Sequence, residues 1–204
     1  MQERIQSFIE HVTDLSSNPK FFHYKWFVKW HLRVVERLAL ELADHHPDAD
    51  RDLIHVMVWL HDYAKILDWH NERSRKLLNA GRDKLIELGF ESGFANRAAD
   101  YVELMDKCAE VDINDAPIEV RILSTADGCS HLTGPFLYIF WHHETDKNFV
   151  GKSYEEMMAL NLKKANFDWE HKIVLPEARV AFEPRYHHIQ EICGQLPNSY
   201  FKKS

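Results

Sequence analysis

Apolar residues recur at intervals of three and four along most of this chain, which is the period of amphipathic helices. The pattern therefore predicts an all-α fold, with no run of strands. The predicted helices cover residues 3–15, about 22–44, a segment from the polar stretch 48–52 to about 62, 71–88, 92–107, a segment after Pro117 that contains Asp127, 136–143, 153–167 and a last helix between 177 and 195.

Capping residues support two of these helix starts. Pro117 stands where the first turn of a helix tolerates proline. Ser153 is followed three positions later by Glu156, which is the spacing of a capping box. The stretch 146–151, just before Ser153, is the best candidate for a loop.

Length, charge and cysteine spacing limit the choice of domains and partners. A chain of 204 residues favours a single domain, which we predict for 1–204. The formal net charge of −7 argues against a nucleic-acid polymer or an anionic membrane as the main partner. The three cysteines show no Cys-x-x-Cys spacing, and no apolar run is long enough to span a bilayer, so we expect a cytoplasmic protein.

Four residues far apart in the sequence could form one metal site. His31, His61-Asp62 and Asp127 each lie in a helix-patterned segment. Two imidazoles and two carboxylates make a mixed nitrogen and oxygen ligand set suited to a divalent metal. Simpler interpretations exist, because a histidine on an apolar helical face is more often a hydrogen-bonded core residue, and Asp127 could pair with Arg121.

The order of these residues resembles the HD-domain superfamily of metal-dependent phosphohydrolases, whose signature is a lone His, then His-Asp, then a lone Asp. Lys65 extends the dipeptide to His-Asp-x-x-Lys, a form common in that family, and Ala126-Asp127 resembles its closing segment. The resemblance implies an HD-type helical bundle with a core at about 22–145 and a C-terminal helical extension at about 146–204. It also implies one divalent metal ion (Mn, Fe, Co, Ni, Zn or Mg) held by His31, His61, Asp62 and Asp127.

The resemblance further implies hydrolysis of a small phosphate ester by a metal-activated water, with a nucleotide as the favoured substrate. Catalytic roles are expected for Asp62, Lys65 and His70. Lys65 would grip a phosphoryl oxygen, and His131, one helical turn after Asp127, could bind substrate. An exposed position at a helix start is an equally good interpretation of His70, and a hydrogen bond in the core is the more frequent role for a residue such as His131.

One departure from the family concerns the number of metal ions. Binuclear HD proteins add histidines between His-Asp and the final Asp, whereas residues 101–107 contain none. We therefore expect a mononuclear hydrolase rather than a di-iron HD-fold oxygenase. Two other classes stay open: a non-catalytic HD-fold nucleotide-binding or regulatory protein, and an unrelated helical protein in which the four residues never meet. The C-terminal third, from Asp146, could cover the site, form a homodimer or complete the core.

Overall fold

The computed structural model describes residues 1–21, 23–70, 75–133 and 152–199, and within them it contains helices and no strand. The predicted all-α fold class is confirmed. Every helix in these ranges is too short or too polar to traverse a bilayer. The helix predicted at 136–143, the loop predicted at 146–151 and the core boundary predicted near 145 lie outside the described residues.

The α-helices are numbered here in chain order through the described residues. They are α1 (Gln2–Ser16), α2 (Arg33–Asp44), α3 (Arg51–Leu60), α4 (Tyr63–Leu67), α5 (Arg75–Glu87), α6 (Ser92–Asp106), α7 (Ile118–His131), α8 (Tyr154–Phe167) and α9 (Pro176–Ile192). Two single π-helical turns complete the set, one before α2 (Val28–Leu32) and one after α8 (Asp168–Lys172).

Helices α3 and α7 form the centre of the molecule. In α3 the run from Leu53 to Leu60 is buried except at His55, and in α7 every residue from Ile122 to His131 is buried. Helices α2 and α6 each pack against both of them, and α1 packs against α3. A helix that is apolar on all sides belongs inside a larger assembly of helices. Polar side chains that leave α3 and α7 therefore meet in the protein interior.

The helix predicted from about residue 22 to 44 starts later than its apolar period indicates. Residues 23–26 form turns, the first π-helical turn follows, and α2 begins only at Arg33. The turns gather aromatic rings into the core, with the ring of His23 centred 4.8 Å from Trp26 and 4.7 Å from Trp69. The spacing of apolar residues indicates which residues are buried, but it does not indicate this change in the direction of the backbone. Single π-helical turns are frequent at functional sites.

The C-terminal helices pack back onto α7. Helix α8 begins with the predicted capping box, because Glu156 N donates to Ser153 Oγ over 3.2 Å and Ser153 N donates to Glu156 Oε2 over 2.7 Å. The second π-helical turn then lies directly on α7. A Cβ atom at Gly128 would stand 2.9 Å from Ile173 Cγ1 and 3.0 Å from Lys172 Cβ. Glycine at this position is what allows the two backbones to approach so closely.

Candidate metal centre

The four predicted metal ligands converge in the interior. His31 lies in the first π-helical turn, His61 and Asp62 follow α3, and Asp127 lies on α7, and all four are buried. His31 Nε2 stands 3.0 Å from Asp62 Oδ2 and 3.6 Å from Asp127 Oδ1. His61 Nε2 stands 3.2 Å and 3.7 Å from the same two oxygens. The interpretation in which the four residues never meet is therefore wrong for this fold.

These separations suit the ligands of a single metal ion. Two ligand atoms bonded at about 2.1 Å to one ion lie about 3.0 Å apart at a right angle and about 3.4 Å apart at the tetrahedral angle. The four measured distances, from 3.0 to 3.7 Å, cover this range and exceed it slightly. Asp127 falls in a different metal-capable group from His61 and Asp62, so the two carboxylates must approach each other as one ion binds all four residues.

His61 and Asp62 are neighbours in sequence, and yet both face the centre. Adjacent positions on a continuous helix point about 100° apart. Here the helix is interrupted, because α3 ends at Leu60 and Asp62 adopts φ −107° and ψ 11° before α4 begins at Tyr63. The interruption turns both side chains to one side, which is why this dipeptide can supply two ligands.

Two buried polar atoms at the centre have no hydrogen-bond partner within the described part of the chain. They are His61 Nε2 and Asp127 Oδ1. Leaving a buried polar atom unsatisfied costs about 1–3 kcal/mol. Both atoms face the other candidate ligands and carry lone pairs, so a cation bound between them would satisfy both. The residues present thus fit a divalent metal ion.

Hydrogen bonds on the far side of each ring set the orientation of the two predicted histidine ligands. His61 Nδ1 donates to the Val58 carbonyl over 2.7 Å. His31 Nδ1 lies 3.3 Å from Ser130 Oγ, and because that hydroxyl donates to the Asp127 carbonyl, it accepts from His31. These bonds place a proton on Nδ1 of each ring, so a metal ion could take Nε2 in place of the hydrogen bond that His31 Nε2 makes to Asp62 Oδ2 over 3.0 Å.

A third histidine faces the same centre. His131 Nε2 lies 3.5 Å from Asp127 Oδ1, and its ring stacks on the ring of His31 at a centroid distance of 5.3 Å. His31, Asp127 and His131 form one buried group that could hold a metal ion, and His31, His61 and Asp62 form another. The substrate-binding role expected for His131 stays a prediction, and its position makes it a candidate ligand as well.

The centre favours positive charge. Burial lowers the pKa of His61, but the carboxylates of Asp62 and Asp127 outweigh burial and raise it to about 10. Burial opposes ionisation of both carboxyls, yet neighbouring cations, His61 first for Asp62 and Lys172 first for Asp127, hold their pKa values well below the usual range. A proton on His61 thus partly neutralises the two carboxylates, and a divalent cation would neutralise them in its place.

Each carboxylate is also paired with a lysine. Lys65 Nζ donates to Asp62 Oδ1, and Lys172 Nζ donates to Asp127 Oδ2. The histidines contact the other oxygen of each carboxylate, so the lysines bind the two oxygens on the outer side of the centre. Burial lowers the pKa of both lysines, but the adjoining carboxylates outweigh it and raise the pKa values overall. Both lysines are therefore charged.

The C-terminal segment supplies residues that sequence reasoning missed. Asp168 is fully buried and accepts from His131 Nδ1 over 2.9 Å, while Lys164 Nζ lies 2.5 and 2.6 Å from its two oxygens. Lys172 reaches Asp127 from the end of the same π-helical turn. A signal was present, because Lys164, Asp168 and Lys172 are spaced by four and form one charged stripe in an otherwise unremarkable helix pattern.

A cavity of about 350 Å³ adjoins the centre and is bounded by α4, α5 and α6. His61 and Lys65 line it, and Tyr63, Arg82 and Asp106 are among the other lining residues. A volume of this order lies in the range of small-molecule pockets. The cavity therefore borders the centre at His61 and Lys65.

The remaining histidines lie outside the two metal-capable groups found among the described residues. His70 is exposed in the turn after α4, where its backbone N donates to Asp68 Oδ1 over 3.1 Å. Its catalytic role stays a prediction. His46 Nε2 hydrogen-bonds to Glu177 Oε1 over 2.7 Å, and His187 and His188 are exposed.

Comparison of the chain with protein-family models, curated proteins and solved structures finds no match. The chemistry of the centre therefore follows from its own geometry.

Proposed function

We propose that this protein is an HD-type metal-dependent phosphohydrolase that cleaves a small phosphate ester, with a nucleotide as the favoured substrate. The observation that carries the proposal is the buried convergence of His31, His61, Asp62 and Asp127 at separations suited to one divalent ion. Buried charges persist where they are paired or bind a metal, and each lysine contact leaves the second oxygen of its carboxylate facing the histidines.

His31, His61, Asp62 and Asp127 would hold the ion through Nε2 of each histidine and one oxygen of each carboxylate. A divalent metal at this place supplies an activated water at neutral pH and polarises a phosphoryl oxygen. Mixed histidine and carboxylate ligands accept several divalent transition metals, so availability decides among them.

The two lysines would have different roles, one in substrate binding and one in positioning a metal ligand. Lys65 is about one third exposed and lines the cavity, so its ammonium can shift from Asp62 towards a phosphoryl oxygen of an incoming ester. Lys172 has only 14% of its side chain exposed and is absent from the cavity lining, so its task is to fix the orientation of Asp127. An ammonium group binds phosphate as a compact point charge.

The cavity would receive the rest of the substrate. Its lining mixes apolar side chains such as Leu77 with polar ones such as Asn79 and Arg82. A base or another planar group could lie against an apolar side chain of the lining, while the ester phosphate would meet Lys65. A cavity of about 350 Å³ lies in the range that admits a nucleoside monophosphate.

The first test is elemental analysis of the purified protein, together with phosphate release from nucleotides and p-nitrophenyl phosphate. The wild type is compared with Asp62→Ala and with Asp48→Ala, an exposed control. We expect about one transition metal ion per chain and phosphate release in the wild type and the control, and neither in Asp62→Ala.

Three results would contradict the proposal. A wild type that takes up no metal after incubation with Mn²⁺ or Ni²⁺ would remove its basis. Bound metal and bound nucleotide without any phosphate release would indicate a non-catalytic nucleotide-binding protein. Two iron ions per chain would favour an oxygenase.

Replacing Lys65 by Ala separates substrate binding from metal binding. We expect KM to rise while the metal content stays unchanged, because Lys65 contacts only the outer oxygen of Asp62. Loss of metal in this variant would show that Lys65 supports the ligand rather than the substrate. Lys163→Ala, at an exposed position on α8, is the matched control.

A further inference from the structure

The ring of His131 stands between two carboxylates. Its Nε2 lies 3.5 Å from Asp127 Oδ1, and its Nδ1 lies 2.9 Å from Asp168 Oδ2. Because Nδ1 donates its proton to Asp168, Nε2 keeps its lone pair and points it towards the centre. This is the arrangement in which a histidine bound to a metal is oriented by a carboxylate.

Three histidine nitrogens surround one carboxylate oxygen. His31 Nε2, His61 Nε2 and His131 Nε2 lie 3.6, 3.7 and 3.5 Å from Asp127 Oδ1, which has no hydrogen-bond partner within the described part of the chain. The distance for His131 is the shortest of the three. On this criterion His131 is as well placed as either predicted histidine ligand.

Both metal-capable groups contain His31. An imidazole Nε2 has one lone pair, and His31 Nδ1 is occupied by its hydrogen bond to Ser130. His31 can therefore bind only one ion. No single group contains all five residues, so the two groups share that ion if their ligand atoms draw together as it binds.

We propose that His131 is a fifth protein ligand of this metal ion and that Asp168, from the C-terminal segment, is the residue that positions it. The proposal rests on the metal site of the proposed function and goes beyond the four-residue set that the sequence indicates.

Asp168 is equipped for this positioning role. It is fully buried and paired with Lys164 through both of its oxygens. Lys164 Nζ also lies 2.9 Å from His131 Nδ1. A lysine ammonium can only donate. Lys164 Nζ and His131 Nδ1 therefore both donate to the Asp168 carboxylate, which accepts from the two of them. The pair thus fixes the ring orientation and the tautomer of His131 together.

A ligand set of three nitrogens and two oxygens has a chemical consequence. It leaves one position of a six-coordinate ion, which the attacking water would occupy, so the phosphoryl oxygen would be bound by Lys65. Structural zinc sites are almost always four-coordinate, whereas Mn²⁺, Fe²⁺, Co²⁺ and Ni²⁺ accept six ligands. The centre is therefore suited to the latter ions.

The test uses Co²⁺ as the probe, because its visible absorption reports the number and type of ligands independently of any activity. Affinity is measured by titration calorimetry and the spectrum at saturating Co²⁺, for the wild type, His131→Ala, Asp168→Asn and Glu170→Gln. Glu170 is exposed two residues from Asp168 and serves as the matched control.

We expect His131→Ala to bind Co²⁺ at least tenfold more weakly and to change the intensity and position of its absorption bands. Asp168→Asn is expected to lose about 10- to 100-fold in affinity, the usual effect of removing a carboxylate that orients a histidine ligand. Glu170→Gln is expected to match the wild type. Circular dichroism of each metal-free variant checks that it is folded.

An unchanged Co²⁺ spectrum and affinity in His131→Ala would overturn the fifth ligand while leaving the four-ligand site intact. If His131→Ala does not fold, an unchanged affinity and spectrum in the nearly isosteric Asp168→Asn would overturn it as well. A wild type that binds no Co²⁺ would remove both this proposal and the proposed function.

Discussion

Two lysine–aspartate pairs flank the candidate metal centre, and they are built in different ways. Lys65 and Asp62 are three residues apart, whereas Lys172 and Asp127 are 45 residues apart and meet only because the C-terminal segment packs on α7. The first lysine has 35% of its side chain exposed and the second has 14%. The same contact is thus made once by local spacing and once by the tertiary fold.

The difference in burial predicts a difference in stability. In the metal-stripped protein, Lys172→Met leaves the buried Asp127 charge without its nearest cation, which costs about 3–5 kcal/mol of unfolding free energy. Lys65→Met should cost only about 1 kcal/mol, because solvent screens the more exposed pair. Urea unfolding of both variants measures the two losses.

Lys163→Met, at an exposed position next to Lys164, is the control for the loss of one positive charge. Equal losses for Lys65→Met and Lys172→Met would contradict the distinction between the two pairs. Adding metal should reduce both losses, because the ion then compensates the carboxylates.

The approach of the C-terminal segment can be disturbed without altering either pair directly. Gly128→Ala places a methyl group 2.9 Å from Ile173 Cγ1 and 3.0 Å from Lys172 Cβ, so the second π-helical turn must shift. We expect a loss of about 1–3 kcal/mol, as for other overpacked sites. The Lys65–Asp62 pair is untouched, so any change in metal affinity would come through Lys172 and Asp127 or through Asp168 and His131.

Gly93→Ala is the matched control, because a Cβ there meets nothing within 4 Å and Gly93 lies in helix α6. Alanine is the better helix former, so this variant should be neutral or stabilised by up to about 1 kcal/mol. Thermal unfolding of both variants shows whether each substitution stabilises or destabilises the protein. An unchanged stability of Gly128→Ala would show that the second π-helical turn does not pack closely on α7.

A partly buried carboxylate, Glu36, extends the comparison to a place away from the centre. It accepts hydrogen bonds from Arg33, His55 and Trp59 over 2.7 to 2.8 Å. Burial opposes ionisation of Glu36, but these hydrogen bonds, that of His55 first, lower its pKa to about 2. Glu36→Gln is expected to cost about 1–3 kcal/mol at neutral pH.

The pH dependence of this effect has a definite sign. A carboxyl whose folded pKa is depressed stabilises the fold above its unfolded pKa and loses that stabilisation as pH falls towards the folded pKa. The difference between wild type and Glu36→Gln should therefore be complete above pH 4.5 and shrink towards pH 2. Urea unfolding at several pH values measures it, and a constant difference would contradict the role of the charge.

The parts of the centre that the sequence could predict are those built by local spacing. The apolar period around His61-Asp62 and Asp127 identified the buried helices α3 and α7, and burial of their polar residues follows from that period. Lys65 was predicted in the same way, from its place one turn beyond His61. The all-α fold followed from the period of the chain as a whole.

The parts that the sequence could not predict depend on how distant segments pack. Asp168 and Lys172 carried a regular spacing, but nothing local indicated that their segment would lie on α7 rather than in solvent. Ser130 and Val58 accept from the histidine ligands only because of the final orientation of each ring. The turns at 23–26 were not predicted, because the aromatic residues there are buried by a change in backbone direction and not by a helical repeat.

The buried pairing of Asp168 with His131 has a consequence for the exchange of amide hydrogens. An ion that binds only when the C-terminal segment is docked stabilises the docked state, by about 2.7 kcal/mol when its concentration is 100 times its dissociation constant. Amides of residues 164–175 should then exchange more slowly by up to a hundredfold in the presence of metal, while those of α1, remote from the centre, should not change. The segment 164–175 would thereby report on metal occupancy.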